Sequence, residues 1–468
     1  MEEYMVNKLK QTDNYFPHFL LLFIVFQPIL DLLTSFSIYV LHMSATVGIV
    51  VRFAFMLLAL GYLLLHRKQH GAKKYILYLC LLGIVLAIGL ANNMMIKSPV
   101  SFGEEVKFIL KSIYPIVLLF GYIIVFKELK NKEYTFHKII TYFLYATLIL
   151  SITLIVAMQT GTDFPSYPHS KIGSRGWFFA GNDLSSIFAI MFPIVVLYSI
   201  HKTTSFSKVY YWIPTILAMY ASIMVGTKVG YGAIVLTLGV ALLFSFIEYM
   251  IHRKKEGKGF TYLINTVVAA IVLGGLIALT PHTPIAKNMG IHMQIYEYKK
   301  SVQEEKDRKE GKVIKEDPDA EKRHAKGELT DSEVKSLIYS DRDKFLKVYK
   351  QYYKDAPLSQ KLFGMGYAGN YTVKIKLIEM DFHDIFFAFG IIGSLIYFLP
   401  FLYFGIKLLL SIITNFKKIL TVKYMLLAST VILSLGIAFM SGHVLTAPAV
   451  SIFFVVILAY LIVDLETE

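Results

Sequence analysis

The chain alternates long apolar runs with short polar connections, and one polar segment from about 281 to 384 interrupts that rhythm. Twelve runs are long enough to cross a bilayer as helices: roughly 16–36, 44–65, 74–92, 106–126, 138–158, 183–201, 208–226, 229–250, 261–281, 383–411, 422–441 and 446–464. About 20 apolar residues at a rise of about 1.5 Å each match a hydrocarbon core about 30 Å thick. Inside hydrocarbon every backbone N–H and C=O needs an internal partner, so helices are the natural spanning element. The expected fold is therefore all-α, a polytopic integral membrane protein of about twelve transmembrane helices. Nine spans fall in residues 1–281, a large extracellular loop in 282–380, and three more spans in 381–468. The polar start Met1–Asn14 runs straight into the first span, which serves as its own insertion signal.

The long loop has structure of its own. Residues 301–328 are dominated by Lys, Glu and Asp, interrupted by Pro318, and read as a solvated segment. Thr330-Asp331-Ser332-Glu333 then has the pattern of a capping box opening a helix over 331–354. At 100° per residue, Val334, Ile338, Phe345, Tyr349 and Tyr352 share one face and Lys344, Lys347, Lys350 and Lys354 point away. Arg342 falls on the apolar side. An arginine aimed inward needs an anionic partner, either a loop carboxylate or a bound ligand.

Composition agrees with the pattern: 56% of residues are hydrophobic and 17% charged, against about 25% charged in soluble domains. The net charge of +14 could suggest nucleic acid, but most of it lies in short connections, where it sets orientation instead. His66–Lys74, Lys127–Lys138, His201–Lys208, His252–Lys258 and Lys417–Lys423 are rich in Lys and Arg. The alternate connections, Leu41–Met43, Asn92–Glu105, Gln159–Asn182, Gly226–Val229 and Gly442–Leu445, are poorer in them. The positive-inside rule assigns the first set and both termini to the cytoplasm, and the second set with the long loop to the outside. The one cysteine, Cys80, lies in an apolar run, so neither a disulfide framework nor a thiol metal site is expected. No metal-ligand spacing is present.

Candidate chemistry collects on the outer side. Lys107 and Lys111 lie four apart at the outer end of the fourth span, Arg175 and Lys228 in outer loops, and Arg342 in the long loop. Five basic groups on the side that orientation disfavours would, if they converged, suit a diphosphate. Taken singly, each could snorkel to lipid headgroups, Lys107 above all. Asp31 and Arg52 fall at similar depth and read as a structural ion pair. His383 opens the tenth span among Glu379, Asp381 and Asp384; such a ring can take a proton from a hydroxyl, or simply cap its helix. Gly364-Met365-Gly366-Tyr367-Ala368-Gly369 spells a dinucleotide fingerprint but lacks the strand–helix setting, and reads as a tight turn. His443, in Ser441-Gly442-His443, reads as a plain loop residue.

In order and topological side, these anchors resemble the O-antigen ligase and O-antigen polymerase superfamily of bacterial surface polysaccharide assembly. The resemblance rests on Gly176–Asn182, on Thr227-Lys228 where many members have Ser-Arg, on Arg342 followed by Pro357 and Gly364-Met365-Gly366, and on His383 followed by Gly390-Ile391-Ile392-Gly393. It implies a glycosyltransferase of the bacterial cytoplasmic membrane, active at the extracellular face without cofactor or metal. The donor would be a saccharide on undecaprenyl diphosphate and the acceptor a hydroxyl of a second glycan. His383 would carry the base role; Glu379, Asp381 and Asp384, from their place beside it in the chain, are the candidate supporting acids. Arg342, Lys228 and Arg175, with Lys107 and Lys111, would hold the diphosphate. A polymerase building a capsule or wall polysaccharide is the first expectation. A ligase moving a finished glycan, or a transporter of lipid-linked saccharides, are the alternatives. Polysaccharide export or chain-length-control proteins are the partners implied.

Overall fold

A computed structural model describes residues 2–43, 46–129, 131–167, 171–254, 258–310, 329–340, 342–372 and 376–466. Its spanning helices are α1 (Glu2–Tyr39), α2 (Val47–Leu65), α3 (Ala72–Ile96), α4 (Phe102–Glu128), α5 (Lys132–Gln159), α6 (Gly181–Lys202), α8 (Lys228–His252) and α9 (Lys258–Leu279). After the long loop come α14 (Asp381–Thr414), α16 (Val422–Met440) and α17 (Pro448–Glu466), with a one-turn helix, α15 (Phe416–Ile419), linking the first two. Among the described residues these eleven are long and apolar enough to cross a membrane. The chain is an all-helical, polytopic membrane protein.

The seventh expected span, 208–226, takes another form. It begins as a 3₁₀ helix, Phe206–Trp212, and continues as α7 (Ile213–Val225), with Pro214 in the first turn of the α-helical part, where a missing N–H costs nothing. The pair still runs the full length of α6. At one end Ser199 bonds the Tyr211 carbonyl and the Thr215 hydroxyl, both at 2.8 Å. At the other, Ser174 N donates to Met224 O at 2.8 Å and the Ser185 and Thr227 hydroxyls meet. At about 2.0 Å per 3₁₀ residue and about 1.5 Å per α residue the two pieces reach about 33 Å, enough to cross. Counted with the eleven single helices, this pair gives twelve traverses among the described residues, and the connections still alternate between two ends of the bundle.

Helices α6 and α17 form the centre. In each, 89% of the apolar window is buried inside the protein, against 22% for α3 at the edge. Both are apolar on all sides because protein surrounds them on all sides; α3 turns Leu77, Leu81 and Ile84 outward instead.

The loop between α9 and α14 forms a cap of four helices, α10 (Pro284–Lys309), α11 (Asp331–Tyr339), α12 (Arg342–Asp355) and α13 (Leu358–Phe363). The charged stretch 301–309 is helical, within α10; residues 311–328 lie outside the described ones. The capping box forms: Glu333 N donates to Thr330 Oγ1 and Thr330 N to Glu333 Oε2. The single helix expected over 331–354 is two, because Ser340 turns left-handed (φ 49°) and closes α11. The break separates the expected apolar face. Tyr349 of α12 is buried against Met365, Ile378, Met380 and Phe387, and its hydroxyl donates to Lys376 O at 2.8 Å. Val334 and Ile338 of α11 stay exposed.

Helix α14 itself is broken at Gly390 (φ 68°). The carbonyls freed by the break are taken up by the turn at 364–366, with Met365 N donating to Phe387 O at 2.8 Å and Gly366 N to Ala388 O at 3.1 Å. A Cβ at Gly364 would overlap the Ala388 carbonyl, and one at Gly390 the Gly364 nitrogen. The letter pattern of a dinucleotide fingerprint is thus a tight turn packed into a helix break.

Candidate active site

The nine residues of α14 before Gly390 start with two acids three apart, hence on one face. Asp381 is buried and accepts from His443 N (3.2 Å), Val444 N (2.8 Å), Leu445 N (2.7 Å) and the Thr446 hydroxyl (2.7 Å). Asp384, also buried, accepts from Ile378 N (2.9 Å) and Met380 N (3.0 Å). Each carboxylate thereby fixes a loop: Asp381 the link between α16 and α17, Asp384 the segment leading into α14.

Those loops form part of the wall of a cavity of about 470 Å³ at one end of the bundle. The ends of α1, α2, α4, α6 and α17 supply the rest. Its charges are arranged in pairs. Arg52 bonds Asp31 at 2.7 Å and Gln27 at 2.9 Å, so the expected ion pair exists and faces the cavity. Lys107 pairs with Glu104 at 3.4 Å. His443 Nδ1 meets Asp183 Oδ1, in the first turn of α6, at 3.0 Å. Lys111 lines the wall with no ion pair among the described residues. Glu379 lines it too, reaching outward to Arg342 at 3.3 Å.

Two wall residues, Glu379 (φ 63°) and His443 (φ 65°), hold left-handed backbone conformations that side chains disfavour, at a cost of about 1–3 kcal/mol each. His443 carries a perturbed ring. Burial opposes its charge, but the hydrogen bond and charge of Asp183, with the charges of Asp381 and Glu379, outweigh it and lift the pKa to about 9. That balance favours the imidazolium at neutral pH.

The expected site residues divide. Lys107, Lys111, Glu379, Asp381 and Asp384 all line the cavity. Arg342 stands just behind the wall, donating to the Glu379 carbonyl at 3.0 Å and to its carboxylate, so its anionic partner is a loop acid. Lys228 is under the cap, where its ammonium donates to Leu337 O at 2.6 Å and feels the charges of Lys171 and Arg342. Arg175 is clamped by the Phe179 carbonyl and the Tyr39 hydroxyl, with its guanidinium 5.7 Å from the Phe164 ring centre. His383 is not part of the wall. Being one residue from Asp384 and two from Asp381, it points around the helix from both, packs on Phe439 at 6.0 Å, and leaves Nδ1 buried without a partner. So Lys228, Arg342 and His383 do not share the cavity.

Asp183 and His443 are the wall residues that sequence reasoning passed over. They are 260 positions apart in a chain that shows no local motif at either. Asp183 does directly follow Gly176–Asn182, and that adjacency was the one available signal.

The geometry is that of a polytopic helical membrane protein with a charged cavity at one end of its bundle. The chain matches the family model described as O-antigen ligase like membrane protein over residues 13–468, nearly its whole length. It belongs to that family, and so to the membrane enzymes that act on lipid-linked glycans. No curated protein and no solved structure matches it.

Proposed function

We propose that the protein is a polymerase that joins undecaprenyl-diphosphate-linked oligosaccharide repeats into a surface polysaccharide. The observation that carries this is the cavity's position. It opens among the Lys/Arg-poor connections, and cations and acids line it at one end of the bundle. Under the positive-inside rule that end is extracellular and both termini are cytoplasmic. A transporter would instead line a path at mid-membrane with polar groups.

In the reaction, an acceptor hydroxyl oxygen attacks the anomeric carbon of the donor sugar. The bond from that carbon to the diphosphate oxygen breaks, and the electron pair leaves with the lipid diphosphate. Lys107 and Lys111 stabilise the growing charge without reorganisation. The hydroxyl proton goes to Glu379, whose carboxylate contacts, among the described residues, only the side chains of Arg342 and Lys376, whereas Asp381 and Asp384 are tied to backbone N–H groups of the loops they hold. His383, the base that the family resemblance implies, lies outside the cavity wall and would reach the hydroxyl only through an intervening group. Arg342 positions Glu379, and Lys228 and Arg175 brace the cap and the 160–180 loop.

The test is to incubate purified protein with lipid-linked repeat units and resolve the products by length. A ladder supports the polymerase. One added unit on a distinct acceptor assigns a ligase, and no new glycosidic bond overturns both. Comparing Glu379→Gln with His383→Gln then identifies the proton acceptor.

A further inference from the structure

We propose that His443 is a diphosphate-binding residue of the cavity, oriented by Asp183 so that its second ring N–H is kept for an anionic oxygen of the donor headgroup. This rests on reading the cavity as a diphosphate site.

The ring is part of the cavity wall, and Asp183 takes its Nδ1 at 3.0 Å. Its Nε2 is buried with no hydrogen-bond partner. Buried polar nitrogens nearly always find a partner, so an unmet one at a cavity wall calls for an explanation. The strongest charge effects on the ring come from acids, Asp183 from α6, Asp381 from α14 and Glu379 from the segment before it, while Arg52 of α2 and Lys107 and Lys111 of α4 line the same cavity. The acids favour the doubly protonated ring, which has two N–H donors and no acceptor. One donor is satisfied and the other waits for an anion.

The surroundings fit that anion. Lys111, lining the same cavity from α4, is the wall cation with no ion pair among the described residues, and Asp183 acts on it electrostatically as well. Asp183 therefore acts on two donors of one wall, the His443 ring and the Lys111 ammonium, that a diphosphate could bridge. The backbone at His443 is held in its disfavoured conformation by Asp381, which accepts from His443 N and the next two amides. Strain of this kind gathers at ligand-binding positions.

The experiment measures binding of farnesyl diphosphate to the full chain in nanodiscs by calorimetry from pH 7 to 10. Wild-type affinity should fall as pH rises through about 9, because the ring loses the proton that makes Nε2 a donor. His443→Gln should weaken binding at pH 7 by about 10- to 100-fold, the usual worth of a hydrogen bond to a charged group, and should lack the step near pH 9. Asp183→Asn should move the step to lower pH. Inorganic pyrophosphate at pH 7 should lose affinity on His443→Gln as the farnesyl compound does, since the contact is to the headgroup; a loss confined to the farnesyl compound overturns the assignment. Equal binding by His443→Gln and wild type, or persistence of the step in that variant, overturns it while leaving the cavity reading intact. Wild-type protein indifferent to both diphosphates overturns both. Should His443→Gln fail to fold, the shifted step in Asp183→Asn decides alone.

Discussion

The two ends of the bundle carry similar residue types and use them differently. At the Lys/Arg-rich end, Lys127 and Lys407 both pair with Glu466 at 2.8 and 3.0 Å, His70 meets Glu128 at 2.7 Å, and Asp464 takes Tyr424 and Lys423. Most of these partners are part-exposed and link the ends of neighbouring helices. At the cavity end, Arg52–Asp31 and Lys97–Glu105 are buried, and Lys111 is left without an ion pair among the described residues. The lesson is that burial and partner supply, more than residue type, separate a charge that orients a protein from one that does chemistry. At a high-dielectric surface a pair is worth little; where the groups are buried each charge counts for several times more.

The largest test of that contrast is Lys97. Its ammonium bonds Glu105 at 2.8 Å and the Tyr367 carbonyl, while Glu105 also accepts from Tyr367 N at 2.7 Å. Burial pulls the lysine's pKa down and Glu105 resists the shift. This pair clasps the 364–369 turn, and through Tyr367 it reaches the cavity wall. Lys97→Met strands a buried carboxylate and should cost about 3–5 kcal/mol of stability in thermal unfolding. The double variant with Glu105→Met should recover most of that loss. A single variant as stable as wild type would erase the distinction between the two ends.

Next in size is Lys111→Met. On the proposed mechanism its ammonium faces the departing diphosphate, so transfer should drop about 10²- to 10³-fold while the melting temperature holds or rises, since no ion-pair partner among the described residues is abandoned. Loss of stability without selective loss of rate would make Lys111 a packing residue.

Asp183→Asn sharpens the contrast through pH. A ring whose folded pKa lies near 9, above its ordinary value of about 6.5, stabilises the fold fully below about 6.5. That contribution is lost as pH rises through about 9. In wild type, melting temperature should therefore decline over that window, and in Asp183→Asn the decline should flatten. An unchanged slope would mean the acid does not hold the proton.

Much of this was written in the chain. The spans, their alternation and the capping box at Thr330 follow from local apolar pattern and short-range hydrogen bonds, which sequence expresses directly. Lys107 and Lys111 were legible because one helix face carries both. What sequence could not express was direction. His383 stands among three acids in the chain, yet a helix turns it about 100° from Asp384 and about 200° from Asp381, and the cavity lies on the acids' side. His443 had the opposite history. Nothing beside it in sequence marks it, and its partner Asp183 arrives from another helix. The break at Ser340 was hidden because periodicity continues through a cap when the next helix keeps similar spacing. The short seventh traverse shows the reverse case, where composition predicted a span and the backbone met it by tightening into 3₁₀ geometry.

The smallest expected effect is the most direct control. Lys407 holds Glu466 at 3.0 Å and lies 5.2 Å from the Tyr403 ring centre, with about two-fifths of its side chain exposed. Glu466 keeps a second cation, Lys127, when Lys407 is removed. No carboxylate is stranded, and water reaches the site from the start. Lys407→Ala should therefore shift stability by no more than about 1 kcal/mol and leave transfer unchanged, measured beside Lys111→Met in the same preparation. If instead the exposed lysine mattered as much as the buried one, the dielectric argument that separates the two ends would fail. The cavity would then lose its physical claim to be the place where charge is used.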